Sequence, residues 1–207
     1  MNCDYSLYLV TDSDLCPGAE LPAVIQSAIE GGVTVVQVRE KDASTRAFYQ
    51  TALQIKKITD AYHVPLIIND RLDIAQAIDA DGLHIGQSDL PAPIARKILG
   101  KDKLLGISVG SLAEAEEAVR AGADYLGVGT VFPTSTKDDA ELITADEIKQ
   151  IRKSIQLPLV AIGGIKANKL TELKPFAFDG IAVVSAIIGQ PDPKAAALAL
   201  KKGWVKQ

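Results

Sequence analysis

The feature that most constrains this chain is an alternation of short apolar runs with amphipathic stretches, kept up almost from end to end. Runs rich in Val, Ile and Leu fall at residues 7–10, 33–38, 66–68, 82–85, 104–108, 125–129, 157–162 and 180–184, which predicts eight strands. Between them, apolar residues recur at helical spacing over stretches such as 21–30, 45–61, 111–121, 145–154 and 193–202. Gly31, Gly32 and Gly122 supply helix-ending signals, while Val64-Pro65 and Leu157-Pro158 mark entries into strands. Strands apolar along their whole length belong in a parallel sheet covered on both faces. Eight such units with short connections predict an α/β chain closed as a (β/α)8 TIM barrel, with an open doubly wound sheet as the competing arrangement. No linker or low-complexity tract interrupts the 207 residues, 47% of them hydrophobic, so one domain spanning 1–207 is expected.

In a barrel of this kind the chemistry lies where strands end and helices begin. The second strand runs into Gln37-Val38-Arg39-Glu40-Lys41, where period-two alternation sends Gln37, Arg39 and Lys41 to one side and Val38 and Glu40 to the other. Arg39 can grip phosphate oxygens with its planar fork and Lys41 adds a compact charge, a pairing suited to a diphosphate. A solvated ion-pair network with Glu40 and Asp42 would use the same residues. The third and fourth strands deliver Asn69-Asp70 and Gln87-Ser88-Asp89, so neighbouring strands could present two carboxylates at one rim. Magnesium takes one or two protein carboxylates and completes its shell with water and substrate phosphate. Either Asp could instead cap the helix that follows it.

Ser108 and Asn69 add neutral donors and acceptors able to orient a heterocycle. After the sixth strand, residues 127–139 form a long segment whose Thr134, Ser135, Thr136 and Lys137 suit a lid that meets ligand on closing. Gly163-Gly164 and Val184-Ser185 follow the seventh and eighth strands, the recurrent place for a phosphate monoester in such barrels. His63 and His84 read as structural, and no Ser-His-Asp order, metal-binding His pair or Cys nucleophile stands out.

A net charge of −4 with basic residues spread along the chain argues against a nucleic-acid surface, and no apolar run is long enough to span a membrane. Residues 1–8 carry no secretory or mitochondrial address, so a cytoplasmic location is expected. Cys3 and Cys16 make neither a disulfide framework nor a four-ligand metal set. Barrel exteriors often pair through helices, which leaves a homo-oligomer possible.

Taken in order, Gln37-Val38-Arg39-Glu40-Lys41, Asn69-Asp70-Arg71, His84-Ile85-Gly86-Gln87 with Asp89, Pro133-Thr134-Ser135-Thr136-Lys137, Ala161-Ile162-Gly163-Gly164-Ile165 and Val183-Val184-Ser185 closely resemble the motif series of the thiamine-phosphate synthase family. The resemblance implies transfer of a hydroxymethylpyrimidine group from its diphosphate to the nitrogen of a thiazole phosphate. It assigns Gln37, Val38, Arg39, Glu40, Lys41, Asn69, Ser108 and Lys137 to the pyrimidine diphosphate, and Asp70 and Asp89 to Mg2+. Thr134, Ser135, Thr136, Gly164, Val184 and Ser185 fall to the thiazole phosphate, and Arg39, Lys41, Lys137 and Ser108 to catalysis. A related thiazole tautomerase would carry a His where this chain has Thr130; a hydroxyl does not shuttle protons near neutral pH. A non-catalytic sensor of thiazole phosphate would not need the two carboxylates. A sugar-phosphate isomerase would need an acid–base pair, for which Glu40 and Asp70 are the only nominees.

Overall fold

Eight strands form, each within two residues of its expected bounds, in a computed structural model that describes residues 3–16, 21–134 and 142–204. They are β1 (Leu7–Val10), β2 (Val35–Val38), β3 (Leu66–Asn69), β4 (Gly82–Ile85), β5 (Leu104–Val109), β6 (Tyr125–Val128), β7 (Leu159–Ile162) and β8 (Gly180–Val183). All pairs are parallel, and β8 returns to β1, with Leu7 opposite Ile181, so the sheet closes as a barrel in chain order. The helices are α1 (Leu21–Glu30), α2 (Thr45–Tyr62), α3 (Leu72–Ala77), α4 (Ala92–Leu99), α5 (Leu112–Arg120), α6 (Ala145–Ser154), α7 (Leu170–Leu173) and α8 (Pro193–Gly203). α3, α4 and α7 lie outside the stretches named from periodicity. At four to eight residues they are too short to show much of a helical repeat.

Period-two alternation divides the strand side chains between two cores. Leu7, Leu9, Val36, Val38, Leu66, Ile68, Leu83, Ile85, Leu105 and Ile107 point outward and pack with helix residues such as Ile25, Phe48 and Ile148. Tyr8, Val10, Val35, Ile67, Leu104, Tyr125, Val160 and Ala182 point inward and fill the barrel. Helix starts are capped where the sequence supplies a short polar side chain: Ser44, Ser111, Thr144 and Asp192 accept from the backbone N–H of Ala47, Glu114, Glu147 and Ala195.

One hydrogen-bonding device recurs four times below the strands. The residue just before each even strand, Thr34, Asp81, Asp124 or Asp179, accepts from the backbone N–H of Leu7, Leu66, Leu105 or Leu159 at 2.7–3.0 Å. The same four residues donate their own N–H to the carbonyl oxygens of those leucines at 2.8–2.9 Å. Arg96 backs Asp124 at 2.5 Å, and Arg152 backs Asp179 at 3.1 Å. The barrel is therefore assembled from four clamped strand pairs. Near the two ends of the chain, Lys201 donates to the Ser6 hydroxyl, joining α8 to the segment that leads into β1.

Candidate active site

At the C-terminal ends of the strands the barrel opens into a cavity of about 250 Å³. Its lining includes Tyr8, Gln37, Arg39, Asn69, His84, Ser108, Tyr125, Thr134, Gly163, Gly164, Lys166, Val184 and Ser185. Polar side chains thus enter from four consecutive strands, Gln37 from β2, Asn69 from β3, His84 from β4 and Ser108 from β5, at the positions left when the apolar inward residues give out. Val38 and Glu40 take no part in that lining. Val38 is fully buried in the outer core, as its alternation phase requires. The Glu40 carboxylate accepts from the Ser13 hydroxyl at 2.5 Å, and burial pushes its carboxyl above the ordinary value. The ion-pair network of Arg39 and Lys41 with Glu40 and Asp42 is not formed among the described residues.

Arg39 enters the cavity with its Nε buried and without a hydrogen-bond partner among the described residues. A buried guanidinium nitrogen in that state calls for an anionic acceptor. At the rim, Lys41 pairs with Asp70, one residue beyond Asn69. Asp70 holds a left-handed backbone at φ 59°, uncommon for a residue with a side chain, and its N–H donates to the carbonyl oxygen of His84 at 2.8 Å. Asp89 accepts from the N–H of Gly86 at 2.7 Å. Burial first, and then the neighbouring Asp70 carboxylate, push the Asp89 carboxyl above its usual value against the backbone hydrogen bond and Lys41. Neither Asp caps a helix: the residues at those positions are Arg71 for α3 and Pro91 for α4. Two carboxylates that crowd one another beside a lysine, with no structural task at a helix end, fit a divalent cation.

On the other side of the barrel, Gly163, Gly164, Val184 and Ser185 follow β7 and β8 and face the same cavity. Gly164 has φ +59°, and a Cβ there would come within 2.4 Å of the Pro133 carbonyl oxygen, so the turn admits only glycine. The start of the segment after β6 lies along this turn, with Val131 N–H on the Ile162 carbonyl at 3.0 Å and Phe132 N–H on the Gly163 carbonyl at 3.2 Å. Lys169 lies over the Phe132 ring, 4.5 Å from its centroid. Thr134 lines the cavity; Ser135, Thr136 and Lys137 lie outside the described residues.

Between these two sides lies a floor that joins the expected Gln37 and Ser108 through Tyr8, Tyr125 and His84, which sequence reasoning did not assign to the site. Gln37 Nε2 donates to the Tyr8 hydroxyl at 2.8 Å, the Tyr8 and Tyr125 hydroxyls are 2.7 Å apart, and Tyr125 is 3.0 Å from His84 Nδ1. His84 Nε2 lies 2.9 Å from Ser108 Oγ. Gly106 makes room for this chain, because a Cβ there would lie 2.1 Å from Tyr125 Cζ and 2.5 Å from His84 Nδ1. A signal existed: Tyr8, His84 and Tyr125 share the inward phase of their strands with Gln37 and Ser108, and His84 and Tyr125 both stand opposite Gly106 on β5. Lys166 was also not singled out; it stands two residues past Gly164 and brings a further cation to that side of the cavity.

Residues 7–187 match the model of a family described as thiamine monophosphate synthase. A thiamine-phosphate synthase of Clostridium beijerinckii is 51% identical over 203 residues, covering 98% of this chain and 97% of its own length. One from Clostridium botulinum (strain Loch Maree / Type A3) is 54% identical over 198 residues, covering 95% and 97%. The solved thiamine phosphate pyrophosphorylase of Pyrococcus furiosus superposes with a TM-score of 0.89 at 39% identity, covering 97% of this chain and 96% of that one.

Proposed function

The chain belongs to the thiamine monophosphate synthase family, and we propose that its barrel, read as one domain over 1–207, works as a pyrimidine-group transferase of that activity. The substrates in this reading are 4-amino-2-methyl-5-(diphosphooxymethyl)pyrimidine and 4-methyl-5-(2-phosphooxyethyl)thiazole or its carboxylated form. The products are thiamine phosphate and diphosphate. The observation that carries it is a single cavity with an anion-seeking Arg39 on one side and the Gly163-Gly164 and Val184-Ser185 turns on the other.

Gln37 and Ser108 orient the pyrimidine ring, while Arg39, Lys41, Asn69 and Lys137 hold its diphosphate. Val38 and Glu40 support that segment from outside the cavity. Asp70 and Asp89 would hold Mg2+, which when bound supplies positive charge against the diphosphate. As the methylene–oxygen bond breaks, its electron pair stays on the diphosphate, and Arg39 and Lys41 stabilise that charge. The amino-substituted ring stabilises the cationic methylene left behind, and the thiazole nitrogen forms the new bond with its lone pair. No protein base is needed. Thr134, Ser135, Thr136, Gly164, Val184 and Ser185 fix the thiazole phosphate so that its nitrogen faces the methylene. Apolar walls from Val10, Val160 and Ile162 keep out water, the competing nucleophile. The tautomerase reading lacks its imidazole, since Thr130 is buried with only a hydroxyl to offer. Both substrates are small phosphorylated molecules, no nucleic acid or membrane enters the reading, and a cytoplasmic enzyme, as a single chain or a homo-oligomer, is consistent with it. No helix among the described residues is long and apolar enough to cross a membrane.

The test is mass-spectrometric detection of thiamine phosphate from purified protein and both substrates, with and without magnesium. Magnesium-dependent product is expected. Absence of product while both substrates bind would sink the proposal.

A further inference from the structure

The hydrogen-bonded floor of the cavity has a direction. Gln37 is 4% exposed, and its Nε2 donates to Tyr8. The buried Tyr8 hydroxyl has one other partner among the described residues, the Tyr125 oxygen at 2.7 Å, so its proton is satisfied only by pointing there. Tyr125 in turn donates to His84 Nδ1 across 3.0 Å. An imidazole that accepts at Nδ1 carries its proton on Nε2, which donates to Ser108 Oγ at 2.9 Å. Burial pushes both phenols well above their ordinary range, so both keep their protons. Three groups remain. Gln37 Oε1 and the second Nε2 hydrogen have no partner among the described residues, and the Ser108 hydroxyl proton is not used by the chain of bonds; both residues line the cavity.

We propose that Tyr8, Tyr125 and His84 act as positioning residues that fix the polarity of the pocket, so that Gln37 turns its Oε1 acceptor, and Ser108 its hydroxyl proton, towards a bound heterocycle. That pattern is complementary to an aminopyrimidine, whose exocyclic amine donates and whose ring nitrogen accepts. It is opposed to the oxo analogue, which offers a carbonyl where the amine was and an N–H on the ring. The inference rests on the proposed function and adds to it the source of discrimination: the relay beneath the ligand contacts, not those contacts alone. A buried group left facing its own kind costs more than a missing contact, which is why ordered networks discriminate well.

The experiment is calorimetric titration of the aminopyrimidine diphosphate and its 4-oxo analogue into wild type and Tyr125→Phe, with inorganic diphosphate as the reference ligand. Wild type should prefer the amino form by about a hundredfold. Tyr125→Phe should shrink the preference to about threefold while leaving the affinity for inorganic diphosphate unchanged. An unchanged preference in the variant, or none in wild type, would overturn the proposal. A second measurement needs no variant: the imidazole ¹⁵N spectrum of the wild-type protein at pH 8, where His84 and the helix-capping His63 are the only histidines. His84 protonated on Nε2 alone supports the relay; a proton on Nδ1 refutes it. Wild type that binds inorganic diphosphate but neither pyrimidine would defeat the functional reading instead, and the tautomer would still decide the polarity of the relay.

Discussion

Replacing Gly106 by alanine should be far more damaging than an exposed strand or turn position would suggest. The added Cβ would lie 2.1 Å from Tyr125 Cζ, 2.3 Å from its hydroxyl oxygen and 2.5 Å from His84 Nδ1. Comfortable carbon contacts are about 3.5–4.0 Å, so something must move by more than about 1 Å. Tyr125 is fully buried, its ring 4.7 Å from that of Tyr5 and 5.9 Å from that of Tyr8, and it has nowhere to swing. Overpacking of this kind costs about 1–3 kcal/mol. Losing the Tyr125–His84 hydrogen bond with both partners buried adds about 1–3 kcal/mol. The expected loss is about 2–6 kcal/mol from a stability of about 5–15 kcal/mol, or a fall in Tm of about 4–24 °C for a chain of this size. Gly110→Ala is the matched control. Its Cβ would meet only Glu114 Oε2 at 3.7 Å and the Gly129 carbonyl oxygen at 3.8 Å, so its stability should stay within about 1 kcal/mol of wild type. Equilibrium urea unfolding of the two variants decides the matter. A Gly106→Ala protein within about 1 kcal/mol of wild type would refute the close-packed floor.

Arg39→Gln removes the guanidinium whose Nε lacks a partner, and calorimetry should show inorganic diphosphate binding weakened by about 10- to 100-fold with the unfolding midpoint little changed. Asp70→Asn or Asp89→Asn should raise the magnesium concentration for half-maximal turnover on the order of tenfold, leaving the KM for thiazole phosphate in place; a magnesium titration of the rate checks this. Asp124→Ala strips partners from the Leu105 N–H and from Arg96, and denaturant unfolding should report a loss of about 2–4 kcal/mol. The Arg71 guanidinium holds the Asp73 carboxyl below its ordinary value. Its contribution is therefore complete above about pH 4 and is lost as pH falls through the folded-state value, so Asp73→Asn should flatten the acid limb of a stability-against-pH curve.

The strands were legible because each is a mainly apolar run, with Gln37, Asn69, His84 and Ser108 the polar exceptions near the ends of β2 to β5, and the barrel followed from their number and the brevity of the connections. α3 and α7 were not, since six and four residues carry too little periodicity to separate from a turn. The cation Arg39, the paired carboxylates and the two glycine turns were found because each breaks an apolar pattern at a strand end. His84 was passed over for the opposite reason. It lies inside a strand, where a lone polar residue suggests a satisfied core group, and its meaning depends on Tyr125, forty-one residues on. Contacts between strands that are not neighbours in the chain leave no local trace. Only the inward phase shared by Tyr8, Gln37, His84, Ser108 and Tyr125 hinted that they would meet.

The four Leu-to-Thr or Leu-to-Asp clamps all lie at the end of the barrel away from the cavity. Like a cask fastened at its base, the molecule carries these clamps at one end and ties its staves by other side chains near the mouth. Gln37 and Tyr8 belong to the first stave, His84 to the second, and Tyr125 and Ser108 to the third, so the buried relay hoops three of them together. The stave that carries Gly164, Val184 and Ser185 stands outside that hoop. The backbone ladder already closes the barrel, so a ligand reaching from Arg39 to those turns would add a side-chain tie between the fourth stave and the other three.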